Sequence, residues 1–301
     1  MLVLAAFPAA GDAPQVIHAG DRDLQQVIDA APPHSTIHAS PNREIEITRT
    51  ITIDKPLTLV GLNARLRAGL ERTPILRVTA EGLRLRDFKL VGNADSVPQE
   101  GRAPLIEMRR GRFVIENGET NNSAKDGVMI TPLPEFGDIE HGVVRNITSR
   151  GTIRDTVSIG GAGEKGLFVR HIVVENIRAY DCELRGAVEV SDGSEYVTVR
   201  DVYAEDCYYG IDIQDHKREG QVNRFIIVDG LHVKNSDFAV RTANRDFGHD
   251  GLTIRNVTGI DWPADADEPF QVRNTTNVLI DNVRLHGCPV APCMRIRNSD
   301  N

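Results

Sequence analysis

Eight times along the chain a strand-like stretch ends on Asn or Asp: Asp87, Asn117, Asn146, Asn176, Asp201, Asp229, Asn256 and Asn282. The intervals are 30, 29, 30, 25, 28, 27 and 26 residues. A period in this range signals a solenoid, and strands without helices in each repeat signal a β-helix. The Asn/Asp column has a physical cause. A short amide or carboxylate can satisfy the backbone where the chain turns sharply between strands.

Each repeat holds a second strand ahead of a loop: Ile106–Met108, Val128–Ile130, Val157–Ile159, Val188–Val190, Ile211–Ile213, Val240–Thr242, Phe270–Val272 and Met294–Ile296. Stacked coils lie ~4.8 Å apart, so matching positions form columns along one sheet. The flanking apolar residues point inward. The outward column then reads Glu107, Met129, Ser158, Glu189, Asp212, Arg241, Gln271, Arg295.

One helix precedes the repeats. Leu24, Val27, Ile28 and Ala31 keep helical spacing, Asp23 with Gln26 forms a capping-box pattern, and Pro32–Pro33 stops it. From Glu44 the apolar period falls to two. The helix caps the first coil, whose open edge would otherwise invite pairing. No linker interrupts the repeats, so residues 15–301 form a single all-β domain. Residues 1–14 begin with an apolar, small-residue stretch that suits either the tail of a signal peptide or a plain terminus.

The stretch from Asp23 through Thr36-Ile37 to Ile51–Gly61 resembles the N-terminal cap and first coil of the pectate-lyase-like superfamily. That resemblance implies a right-handed parallel β-helix that is carbohydrate-active, and a signal-peptide tail at the N-terminus would make the protein secreted or periplasmic. The superfamily holds lyases, hydrolases, epimerases and non-catalytic proteins, so fold alone does not give the activity.

The net charge is −8 with no basic run, which argues against nucleic acid as a partner. A local basic cluster would still accommodate an acidic sugar polymer. No segment is long enough to span a membrane. Of four cysteines, Cys182 and Cys207 fall at equivalent repeat positions, while Cys288 and Cys293 suit a disulfide in an exported protein. Buried free thiols are the alternative.

Insertions flank the second strand of each coil: 160–166, 215–223 and 243–250 on one side, 149–155 and 261–269 on the other. Loops at both ends of one sheet make a groove. Its floor is Glu189, Asp212 and Arg241 on three successive coils. Two carboxylates on neighbouring coils repel, which raises at least one pKa unless a cation intervenes. That arrangement points to a catalytic centre. An ordinary charged face would instead pair Asp212 with Arg241 and Glu189 with Lys165 as surface ion pairs.

Three functions fit. The first is β-elimination on a uronate polysaccharide, or the related C5-epimerisation. Arg241 neutralises the carboxylate, or Glu189 and Asp212 hold a Ca²⁺ that does so, and His216, Lys217 or Tyr209 removes the C5 proton. Tyr209-Gly210-Ile211-Asp212 resembles the Tyr-Gly-Phe-Asp-Pro-His stretch of some epimerases, departing from it at Ile213 and Gln214. The second is glycoside hydrolysis with Glu189, Asp212 and Asp215 as acid and base. The polygalacturonase motifs are missing, with Arg295-Ile296-Arg297 as a distant echo of one. The third is a non-catalytic glycan-binding or structural module, disfavoured by few aromatics, chiefly Tyr208, Tyr209, Phe247 and Trp262. The walls add Lys165, Arg245, Arg273 and Gln214 as substrate contacts, with Asp192, Asp246 and His249 nearby.

Overall fold

A computed structural model describes residues 13–216, 222–243 and 248–299. Strands that alternate inward apolar and outward polar residues wind into a parallel β-solenoid of about 10 turns. Every pairing between its strands is parallel. The inward neighbours of the outward column, among them Val157, Ile159, Val188, Val190, Ile211, Ile213 and Val240, are fully buried. Their removal from water drives the winding.

The helix Leu24–Ala30 is the one α-helix among the described residues, and the Asp23 side chain accepts from Gln26 N at 3.0 Å. Leu24, Val27 and Ile28 are buried. The helix also closes a strand edge. Gln25 accepts from Thr52 N at 2.7 Å and donates to Thr52 O at 3.1 Å. Its amide thus replaces the neighbour that the strand Ile51–Ile53 lacks on that side.

The turn column follows the sequence periodicity with one shift. Arg200 pairs with Asp229 and Asp229 with Arg255, so Gly230, not Asp229, stands between Asp201 and Asn256. The reason is backbone conformation. Asp87, Asn117, Asn146, Asn176, Asp201, Asn256 and Asn282 all have φ between 48° and 57°, and Gly230 has φ 80°. Only Gly, Asn and Asp enter that left-handed region at low cost. The amides then form a ladder of their own: Asn146 donates to Asn117 at 2.8 Å, Asn176 to Asn146 at 2.9 Å and Asn282 to Asn256 at 2.7 Å. Asp229 joins it from beside the column, accepting from Asn256 at 2.7 Å.

Both cysteine pairs are disulfides, Cys182–Cys207 and Cys288–Cys293, the first joining adjacent coils.

Candidate active site

The pairings put Arg77, Glu107, Met129, Ser158, Glu189, Asp212, Arg241, Gln271 and Arg295 in one outward column. A second column stands four residues earlier, ahead of the outward place of each coil: Lys125, Arg154, Arg185, Tyr208 and Asp237. Beside it, one residue on, run Asp126, Asp155, Gly186, Tyr209 and Phe238. The site forms where these three columns meet.

Asp212 is fully buried under Arg241, which donates to it from Nε at 3.2 Å and from Nη2 at 2.5 Å. Arg185 Nη1 lies 3.8 Å from the same carboxylate. Burial pushes the Asp212 pKa up, and the Arg241 contact pulls against it. The Arg241 guanidinium rests among the Tyr208, Tyr209 and Phe238 rings, 5.0 to 5.6 Å from their centroids. Its Nη1 donates to the Tyr208 hydroxyl at 3.3 Å.

Glu189 is covered as completely. It accepts from Arg154 Nη2 at 3.1 Å, from Ser158 Oγ at 3.3 Å and from Gln214 Nε2. Burial opposes its charge. The hydrogen bond from Asp155 and the Arg154 and Arg185 charges outweigh that and hold its pKa below the ordinary carboxylate value. Asp155 goes the other way: burial and the Glu189 and Asp126 charges raise it well above the ordinary value. Burial also raises Asp126. Arg154 ties the group together, 3.6 Å from Asp126 and 3.8 Å from Asp155.

His216 has φ 44°, and its Nδ1 lies 2.7 Å from Asp192 Oδ2. Its Nε2 stands 3.7 Å from Glu189 Oε1. The Asp192 hydrogen bond raises the His216 pKa, burial opposing it. His249 is different. Burial lowers its pKa to about 4, and its Nε2 meets Ile213 O at 3.2 Å, which makes it a neutral structural residue.

Several expectations change. Glu189 and Asp212 stand in the outward column, yet with Asp215 their exposures of 1, 0 and 0% mean that none is displayed on the groove floor. Arginine side chains from neighbouring coils lie across Glu189 and Asp212. The partner of Glu189 is Arg154, not Lys165, which is exposed in the 3-10 turn Gly163–Lys165 with no ion pair among the described residues. Tyr209 is fully buried and its hydroxyl is pushed well above the ordinary tyrosine pKa by burial and by Asp155, so it is no base. Gln214 supports Glu189 and does not line the surface. Arg273, two coils on from Asp212, donates to Gln271 Oε1 at 2.5 Å. Lys217, Arg245, Asp246 and Phe247 lie outside the described residues.

Calcium does not fit Glu189 and Asp212. Their oxygens already meet N–H donors from Arg154, Gln214 and Arg241, two of them cationic. Among the described residues no group of three or more His, Cys, Asp or Glu side chains suits a metal ion. Asp126, Arg154, Asp155, Arg185 and Tyr208 do belong to the site, although the outward column does not reveal them. Aligning residues three places before each strand would have, since Lys125, Arg154 and Arg185 recur there.

No family model matches the chain, and no curated protein does. Solved structures share its fold. The endo-xylogalacturonan hydrolase of Aspergillus tubingensis superposes with a TM-score of 0.57 at 14% identity, over 93% of this chain and 95% of that one. The catalytic domain of a GH87 α-1,3-glucanase, in complex with nigerose, does so with 0.56 at 12% identity, over 98% and 70%. The chain is a right-handed parallel β-helix of the type found in carbohydrate-active enzymes.

Proposed function

We propose that this protein is a polysaccharide-active enzyme that cleaves an acidic, uronate-containing chain by β-elimination. One observation carries the reading. The carboxylates of the cluster are buried, while the groups they hold reach the groove: side-chain exposure is 29% for Arg185, 17% for Arg241 and 37% for His216. A site that presents guanidiniums and an imidazole is suited to an anionic substrate.

In this reading Arg241 and Arg185 take the uronate carboxylate and stabilise the charge that develops when C5 loses its proton. Asp212, beneath both, fixes their positions. His216 accepts the C5 proton at Nε2, with Nδ1–H held by Asp192. The C5–H electrons form the C4=C5 double bond, the C4–O bond breaks, and the leaving oxygen takes a proton from the Tyr208 hydroxyl. Tyr208 replaces Tyr209 because its oxygen accepts from Arg241 and its own hydrogen remains available. Re-protonation at C5 without C4–O cleavage would be epimerisation on the same groups. The two disulfides suit a secreted or periplasmic location, and among the described residues no helix is long and apolar enough to cross a membrane.

Hydrolysis has its own support in the opposite pKa shifts of the neighbouring carboxyls Asp155 and Glu189 and in the hydrolase of like fold. Both carboxylates would first need Arg154 to move off them. Incubation with pectate, alginate and glycosaminoglycans separates the readings. Elimination gives ultraviolet-absorbing unsaturated ends, abolished in Arg241→Ala and His216→Ala. Reducing ends without that absorbance mean hydrolysis, and neither product on any polymer overturns both.

A further inference from the structure

Beside the candidate centre lies a cleft of about 360 Å³, lined by Gln99, Arg102, Lys125, Arg154, Leu184 and Arg185. Four of these six residues are cationic, and no acidic side chain lines it. Lys125, Arg154 and Arg185 come from successive coils, as the bonds from Arg154 N to Lys125 O and from Leu184 N to Ile153 O fix at 2.9 Å each. Their backbones therefore repeat at the ~4.8 Å of the stack. Arg154 and Arg185 are held from behind by the buried carboxylates. Arg102 and Lys125 are not: among the described residues neither has a carboxylate within ion-pair distance. Aligned cations without counter-charges repel one another, and in a chain of net charge −8 their clustering is not a by-product of an overall basic surface.

We infer that this cleft is a second anion subsite, which takes the charged group of a sugar further along the same chain, towards the N-terminal end of the solenoid. The coil spacing is comparable with the length of one pyranose unit, so a row of cations on successive coils suits a polymer charged on consecutive units. Leu184, 50% exposed, offers an apolar patch for a ring face. The inference rests on the reading above, that the groove holds an acidic polysaccharide. It adds that the substrate is a block of consecutive charged sugars rather than an isolated uronate in a neutral chain.

The test is calorimetric titration of the wild-type chain and of Arg102→Gln/Lys125→Gln with hexamers of galacturonate, mannuronate and guluronate, a chondroitin sulfate hexasaccharide, and the methyl ester of the galacturonate hexamer. Both positions are partly exposed, and the melting temperature of the variant checks its fold. At least one acidic hexamer should bind about tenfold or more tightly than the neutral ester. The double variant should lose about tenfold in affinity and in KM for that hexamer, and much of its salt sensitivity, with little change for a dimer too short to reach the cleft. Equal affinity of variant and wild type, or failure of every acidic hexamer to bind, overturns the subsite. The two readings fail separately. Charge-dependent binding without unsaturated product removes elimination and keeps the cleft, whereas product formation with an unchanged KM in the variant does the reverse.

Discussion

Tyr209 donates its hydroxyl to Asp155 Oδ1 at 2.7 Å, reaching past an entire coil to do so. The residue between them is Gly186, whose backbone pairs with Tyr209. A Cβ there would stand 1.9 Å from Tyr209 O and 2.2 Å from its ring Cδ2. The missing side chain is what admits the ring. Tyr209→Phe should therefore destabilise the fold by about 1–3 kcal/mol, because it strips buried Asp155 Oδ1 of the shorter of its two hydrogen bonds and leaves Gly186 N at 3.3 Å. Gly186→Ala should cost at least about 3 kcal/mol. Urea unfolding of both measures this, and an unaffected Gly186→Ala would show that the contact is not tight.

Burial and the neighbouring carboxylate charges raise the Asp155 pKa in the folded state well above its unfolded value. Between the ordinary aspartate value and its raised folded value, the native chain binds more protons than the unfolded one, so stability falls as pH rises. Asp155→Asn should flatten that slope and leave stability at neutral pH equal or higher. Unfolding midpoints across pH, compared between wild type and variant, check the sign.

For His216 the active form of a base is the neutral one, so kcat/KM should climb as pH rises through its raised pKa. Removing the Asp192 charge should bring that limb to lower pH. Asp192→Asn is accordingly expected to shift the alkaline rise towards acid and to reduce kcat. The Asp192 contact also stabilises the fold where Asp192 is ionised and His216 protonated; burial raises the Asp192 pKa, so the contribution weakens as that carboxylate takes up its proton on the acid side, and it fades as pH rises through the His216 folded value. A pH–rate profile that stays put in Asp192→Asn would remove His216 from the mechanism.

Arg241→Leu would leave Asp212 buried without its bidentate partner, at a cost of about 3–5 kcal/mol. The double variant Asp212→Asn/Arg241→Leu should recover much of that stability and none of the activity. A double-mutant cycle that finds the two changes additive would show that the pair does not act as a unit.

The disulfide Cys182–Cys207 closes a separation of 25 residues between paired positions on adjacent coils. Replacing both cysteines by alanine should lower stability by about 3 kcal/mol, read from guanidinium unfolding without reductant.

Spacing and alternation in the sequence were enough for the solenoid, because every coil repeats the same local demand: apolar residues inward, and a residue able to turn left-handed at the corner. They also aligned Glu189, Asp212 and Arg241 in register, since a period of two leaves one outward place in each short strand. The misplacement of Asp229 shows the boundary of that reasoning. Gly230 meets the same backbone requirement without a side chain to advertise it, and the carboxylate of Asp229 stands one place before it. Coverage, by contrast, was settled only by tertiary structure. Whether Glu189 and Asp212 meet solvent depends on how far Arg154, Arg185 and Arg241 extend from adjacent coils, and side-chain reach across coils has no period along the chain. Proton placement follows from the same packing. Asp155 and Glu189 are both carboxylates in sequence; burial and the Glu189 and Asp126 charges raise the first, while the Asp155 hydrogen bond and the Arg154 and Arg185 charges lower the second.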